Sequence, residues 1–260
     1  MIGYIVGSGY YEHPGFIHRE VDTARGRVGV WLGQHGRNPV ALISRHGEHH
    51  ARLSHQVDHR ANLLALKQVG ATAVVSCSVC GVLRDDWKLG APMLGTDLFF
   101  PSNRLPSGEP CSVFDTPGGR GRGHLIAGSL MDERLGAAIK AFWSDRGMAF
   151  HEGIYAHVDG PRFNTKVEIR QLRSVGADFL SQTCGPEAVL ANELELPYAL
   201  AAFGVDYANG VSKEPTPPEV LKGNLTKATE MFCHLVDALS EPERGWAFGN
   251  FVYRFDADGR

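Results

Sequence analysis

Three times within the first 81 residues a short apolar run stops at small or chemically capable residues. Ile2 to Val6 ends at Gly7-Ser8-Gly9, Val40 to Ser44 at Arg45-His46-Gly47, and Ala73 to Cys77 at Ser78-Val79-Cys80-Gly81. Unbroken apolar runs closed by turn residues read as buried strands. Between the second and third, Val57, Leu63, Leu64, Leu66 and Val69 recur near helical spacing, so a helix is predicted from His55 to Val69, with Gly70 as its stop. Strands alternating with helices build an α/β domain, and ligands collect at the carboxyl ends of its strands.

The alternation continues along the chain. Val28 to Leu32 is a further strand, joined to Val40–Ser44 through turn chemistry at Gly33 to Asn38. Helical periodicity covers Met131 to Arg146, Thr165 to Val175 (closed by Gly176), Pro186 to Glu195 and Pro218 to Ser240, while Gly153 to Val158, Phe179 to Gln182 and Tyr198 to Gly204 read as strands. Pro101 to Gly123 is too rich in Gly and Pro for regular structure and reads as an ordered excursion. The expectation is one α/β domain over residues 1–260, a central mixed sheet flanked by helices. Its tail, 241–260, carries Trp246, Phe248, Phe251, Tyr253 and Phe255 and needs a surface to pack on.

Composition narrows the function classes. A formal net charge of -3 offers no broad basic field for nucleic acid, although a small concave site can still hold an anion with local donors. No stretch reaches the ~20 apolar residues of a membrane span, and no basic, apolar leader opens the sequence, so a cytoplasmic location is expected. Five cysteines, Cys77, Cys80, Cys111, Cys184 and Cys233, show no metal-ligand rhythm and read as free thiols. His49, His50, His55 and His59 cluster, with His55 and His59 four apart, yet a zinc site needs three or four convergent ligands; no metal is expected.

Together the three strand ends have the makings of a phosphate cradle: backbone N–H groups, hydroxyls and one fixed guanidinium. Singly, each has a blander reading. A Gly-Ser-Gly is usually a turn, a strand-end arginine a solvated charge, and a small-residue run close packing. Their conjunction in one chain favours the anion site.

These residues sit in segments that carry a family likeness. IVGSG, SRHGEHH, HQVDHRANLLALKQVGATAVV, SVCGVLRDDWKLG and DGPRFNTKVEIRQLRSVGADFLSQTCGPEAVLANELELPYA together resemble the trimeric purine-nucleoside phosphorylases, within them the methylthioadenosine and methylthioinosine phosphorylases. The resemblance implies the nucleoside phosphorylase fold and a pentosyltransferase that cleaves a purine nucleoside with inorganic phosphate as co-substrate, needs no cofactor, and assembles as a homotrimer or a dimer of trimers. Carried over by motif, Ser8, Arg45, His46, Ser78, the amide of Val79 and Thr183 bind phosphate. Cys80, Gly81, Phe163, Ser181 and Gln182 line the nucleoside pocket, Asp206 faces purine N7, and His124 reaches the 5′-substituent of a neighbouring subunit. Asp206 and His46 are the catalytic pair.

The implied mechanism is dissociative: the departing purine gathers negative charge while an anion is held beneath an oxocarbenium-like ribosyl group. Asp206 either donates a proton, kept on it by a dry pocket or a nearby anion, or accepts a hydrogen bond from an exocyclic amino group. Two positions depart from the family pattern. Gln182 stands where a methionine is usual, and Ala208 where the adenine-selective members have a second carboxylate; the hydroxypurine-selective relatives usually have Asn at position 206. The base and the 5′-group therefore stay open, a 5′-methylthio or 5′-deoxy group being the first expectation. The rival readings are a nucleoside hydrolase on the same fold, against which Arg45 argues, and a catalytically weakened nucleoside-binding protein.

Overall fold

The computed structural model describes residues 1–8, 15–35, 38–239 and 245–255. Its strands are β1 (Ile2–Val6), β2 (Ile17–Thr23), β3 (Gly26–His35), β4 (Asn38–Ser44), β5 (Ala73–Val82), β6 (Pro92–Phe99), β7 (Gly123–Ile126), β8 (His151–His157), β9 (Phe179–Ser181), β10 (Tyr198–Tyr207) and β11 (Phe251–Arg254). The helices are α1 (His59–Gln68), α2 (Glu133–Asp145), α3 (Lys166–Ser174), α4 (Cys184–Glu193) and α5 (Pro218–Ala238).

Nine strands form one mixed sheet in the order β10-β6-β8-β9-β5-β1-β4-β3-β2. Because β10 also pairs with β5, strands β5, β10, β6, β8 and β9 close on themselves, and β1, β4, β3 and β2 extend outward from β5. β5 is therefore the hinge of the architecture. Period-two alternation gives the central strands β1, β4, β5 and β10 one foot in each of two cores. Ile5, Val74 and Leu200 pack with Leu63, Leu66 and Leu190 of α1 and α4. Tyr4, Val75 and Ala201 pack with Ile139, Trp143 and Phe232 of α2 and α5 on the opposite face. α3 covers the closed part of the sheet through Ile169 and Leu172. The mixed α/β architecture expected from the sequence is the one found.

Local chemistry sets the helix starts. Asp58 accepts the Ala61 N–H to begin α1, Asp132 caps α2, and Thr165 with Glu168 forms a reciprocal capping box on α3. α4 differs: Cys184 to Asn192 are all buried, so it runs through the interior rather than over it.

Several expectations change. The helix predicted from His55 breaks at an extended Val57 into a single 3-10 turn (Ser54–Gln56) and α1, so His55 and His59 do not share a helix. Ser78 to Gly81 are not a loop after a strand; they continue β5, because β10 supplies a ladder through to Val82. The turn between Val28–Leu32 and Val40–Ser44 is shorter than expected, since β3 runs to His35 and β4 starts at Asn38. β2, β6, β7 and β11 carry no clean apolar alternation and went unread; β2 is largely exposed, and β6 opens on a proline. In the tail, β11 pairs with β7 as a two-stranded ribbon apart from the main sheet. Ser240 and Gly9 lie outside the described residues. Among the described residues no helix is long and apolar enough to cross a membrane.

Candidate active site

β1, β4 and β5 run parallel, and β1 and β4 end level with Cys77 in the middle of β5. Val6 is paired with Ser44 on one side and Cys77 on the other. The next residues, Gly7-Ser8, Arg45-His46 and Ser78-Val79, consequently emerge side by side. The junction is stitched by Gly7 N–H to the Cys77 carbonyl (3.1 Å) and Arg45 N–H to the Val6 carbonyl (2.9 Å).

β5 outlasts β1, and this opens a gap in the sheet. On that edge β1 stops at Cys77 and β9 begins only at Gly81. Since the Cys77 carbonyl points to that edge, strand alternation turns the Val79 N–H and carbonyl the same way, into the gap between β1 and β9. Among the described residues neither β1 nor β9 reaches this amide, and a strand N–H at a sheet opening is a ready anion donor.

Arg45 lies beneath this opening with 1% of its surface exposed. Its Nε and Nη2 fork onto the Glu187 carboxylate of α4 at 2.5 and 2.9 Å. Nη1 donates to the Cys77 carbonyl (3.1 Å) and Nη2 also to that of Ile5 (3.3 Å). Glu187 is fully buried, takes the Ser76 hydroxyl at 2.6 Å, and has His59 Nδ1 at 3.6 Å, an ion-pair rather than a hydrogen-bond distance. Burial alone would raise the Glu187 carboxyl; the Arg45 charge and the neighbouring donors more than reverse this and hold it at about 2. Burial likewise works against the guanidinium, and Glu187 keeps it well above its ordinary range. Losing either partner strands a buried charge, at a cost of about 3–5 kcal/mol. Glu187 was missed in the sequence reading. The signal was a single carboxylate inside the apolar run Cys184 to Ala191.

His46 is 8% exposed, and its Nδ1 lies 2.9 Å from the Arg52 carbonyl. A carbonyl only accepts, so the neutral ring carries its proton on Nδ1 and presents a lone pair at Nε2. Burial, then the Arg45 charge, lowers its pKa to about 4. His50 stacks on His46 with ring centroids 4.1 Å apart, and its Nδ1 is 3.5 Å from the Ser8 hydroxyl. With Arg45 balanced by Glu187 and His46 neutral, these groups offer directed donors and acceptors rather than net charge.

Across the gap, the Ser78 hydroxyl is 3.3 Å from that of Ser181, which is held by the buried Tyr155 hydroxyl at 2.8 Å. Thr183 is buried at the start of α4, and its hydroxyl forms no cap there; the nearby Cys184 sulfur is at 3.7 Å. Asp206, half-buried, pairs with Gly81 across the β10–β5 ladder just after a register shift. A Cβ on Gly81 would touch Ala208 at 3.8 Å, so the open side of Gly81 faces the position of the missing carboxylate. Cys80 is buried, and its thiol is pushed above its ordinary range by burial.

Gln182 has its amide engaged at both ends. Oε1 accepts the Ser54 hydroxyl at 2.7 Å, and Nε2 donates to the Arg162 carbonyl at 2.9 Å. In this state it ties two loops together rather than presenting a free polar end. Phe163, next to Arg162, is 81% exposed.

His124 is not brought to this junction. It sits on β7 of the separate ribbon, opposite Tyr253, with its ring edge-on to Phe255 at 5.4 Å. No cluster of three or more His, Cys, Asp or Glu suited to a metal ion occurs among the described residues. A pocket of about 250 Å³ beside the start of α1 shares none of the strand-end residues. Its cations are already paired, Arg25 with Asp115 and Arg60 with Glu109. The chemistry therefore points to the strand ends.

Residues 1–241 match the family described as the Phosphorylase superfamily. The chain is 32% identical over 230 residues to the 6-oxopurine nucleoside phosphorylase of Pyrococcus furiosus, covering 85% of each. It is 33% identical over 262 residues to the S-methyl-5′-thioadenosine phosphorylase of Saccharolobus solfataricus, covering 94% of this chain and 92% of that one. The fold is similar to that of the methylthioadenosine phosphorylase of Schistosoma mansoni solved with adenine, with a TM-score of 0.81, 24% identity, and coverage of 91% and 89%.

Proposed function

Because this chain belongs to the Phosphorylase superfamily, we propose that the junction of β1, β4 and β5 holds inorganic phosphate beneath a purine nucleoside whose glycosidic bond is cleaved by phosphorolysis. The products are a free purine base and a ribose 1-phosphate derivative. The names of the relatives support the reaction: one acts on 6-oxopurine nucleosides and another on S-methyl-5′-thioadenosine. The observation that carries the reading is the convergence of Ser8, Arg45, His46, Ser78 and the Val79 amide on one opening in the sheet.

The residues divide the work. Hydroxyls of Ser8, Ser78 and Thr183 and the Val79 N–H grip phosphate oxygens, and His46 Nε2 accepts a hydroxyl of hydrogen phosphate or of the ribose. The anion then lies under the anomeric carbon and balances the oxocarbenium-like sugar as the bond lengthens. Asp206 addresses N7 of the leaving purine, beside the base pocket of Cys80 and Gly81. Phe163 covers the sugar, with Ser181 and Gln182 behind it. The reaction needs no cofactor or metal, because phosphate is itself the nucleophile. We place it in the cytoplasm, with a 5′-methylthio or 5′-deoxy purine nucleoside as the first substrate class.

Incubation with methylthioadenosine, methylthioinosine, adenosine and inosine is expected to release base only when phosphate is present. Equal release without phosphate would establish the hydrolase instead; ligand-dependent stabilisation without release would establish a binding protein. We also propose a homotrimer, in which His124 of one subunit reaches the 5′-group bound by another. Its position on the outlying β7–β11 ribbon supports this. Sedimentation of a monomer at active concentrations would contradict it.

A further inference from the structure

The geometry points to Glu187 as a positioning residue for the anion: it fixes the plane of Arg45 and balances its charge, so that phosphate is held by one aimed N–H rather than by a bare cation. This rests on the phosphate reading above and adds a residue that never touches phosphate.

A guanidinium has five N–H bonds in a fixed plane. Glu187 takes two, and the Cys77 and Ile5 carbonyls take one each. Among the described residues that leaves one, on Nη1, the nitrogen that faces Gly7, where a side chain would begin only 2.8 Å away. The spare donor is thus at the Gly7-Ser8 turn, the first wall of the cradle.

The carboxylate is itself held from two directions. Oε2 accepts from Ser76 of β5 at 2.6 Å as well as from Arg45. Oε1 takes Arg45 Nε and has His59 of α1 at 3.6 Å. It stands on α4, whose residues Cys184 to Asn192 are all buried. A carboxylate gripped on both oxygens cannot turn, and a planar fork bound to it cannot turn either. A pin meant only to join β4 to α4 would not need the Ser76 bond or leave a donor over at the cradle.

Two variants test this with phosphate alone and in turnover. Glu187→Gln keeps the shape and removes the charge; Ser76→Ala keeps the charge and removes the bond that anchors the carboxylate to β5. At saturating phosphate, Ser76→Ala is expected to lower kcat roughly fivefold and Glu187→Gln at least tenfold, since the first loses one hydrogen bond to the carboxylate and the second the charge behind the whole fork. The KM for nucleoside should stay within about twofold in both, since neither residue faces that ligand. Glu187→Gln should also make phosphate binding salt-dependent, because its guanidinium is no longer balanced. Loss of melting temperature with wild-type kcat, phosphate KM and salt response would reduce Glu187 to a structural pin and overturn the assignment. Where Glu187→Gln does not fold, Ser76→Ala alone decides it. Calorimetry of the wild type with inorganic phosphate separates the two levels: no binding removes the phosphate reading itself, whereas binding that neither variant alters removes only the role of Glu187.

Discussion

Nη1 of Arg45 stands 2.8 Å from the point where a side chain on Gly7 would begin. Gly7 is glycine for reasons of approach: its N–H is committed to the Cys77 carbonyl, and the guanidinium occupies the space a Cβ would need. Gly7→Ala is expected to push Arg45 off Cys77 and out of line with the cradle. Steady-state kinetics should find phosphate KM raised at least tenfold, the equivalent of about 1.4 kcal/mol or more. An alanine variant with wild-type phosphate KM would mean that Nη1 plays no part in anion binding.

Gln182 spans two loops through Ser54 and the Arg162 carbonyl. Replacing it with methionine keeps the length and removes both bonds. At about 1 kcal/mol each, the expected fall in melting temperature is roughly 2–6 °C. The KM for nucleoside should rise as the loop bearing Phe163 loosens. A higher melting temperature together with a lower KM would show that the glutamine is a burden to this protein.

Ala208 lies against the open side of Gly81, one strand across from Asp206. Ala208→Asp restores a carboxylate able to accept from an exocyclic amino group. The ratio of kcat/KM for adenine over 6-oxopurine nucleosides is expected to rise roughly tenfold or more, since buried polar contacts discriminate strongly. An unchanged ratio across the substrate panel would put the base elsewhere.

Two buried histidines link stability to pH. Burial and then Arg45 lower His46 to about 4; burial and then His59 lower His157 to about 3. In the unfolded chain both titrate near 6.5. Above that value both states are neutral, and stability is at its plateau. As pH falls from about 6.5 toward 4, the unfolded chain binds protons that the folded one refuses, so stability drops, by on the order of 3 kcal/mol per group. Glu187, held at about 2, adds its own loss only below the ordinary carboxylate range, about 4.3. Thermal melts should fall steadily from pH 7 to 4; a flat profile would mean that these rings are solvated in solution.

How much of this was legible in the sequence differs by element. β1 was read to the residue, because Ile2–Val6 is an unbroken apolar run stopped by glycine. β2 was invisible, since it is an exposed edge strand whose residues, IHREVDT, follow no burial alternation. Arg45 and His46 were singled out by their place at a strand end. Their partners were not, because Glu187 and Arg45 are separated by 142 positions in the chain.

Strand ends, the residues that stand at them and the family they resemble could all be read along the chain, because periodicity, turn chemistry and motif order are local properties. Packing in three dimensions was needed to keep Ser78–Gly81 in a strand, to open a gap between β1 and β9, and to spend the Arg45 fork on a carboxylate. Those outcomes depend on which strand lies beside which and on how a buried charge finds its counter-charge, and neither is written in the spacing of neighbouring residues.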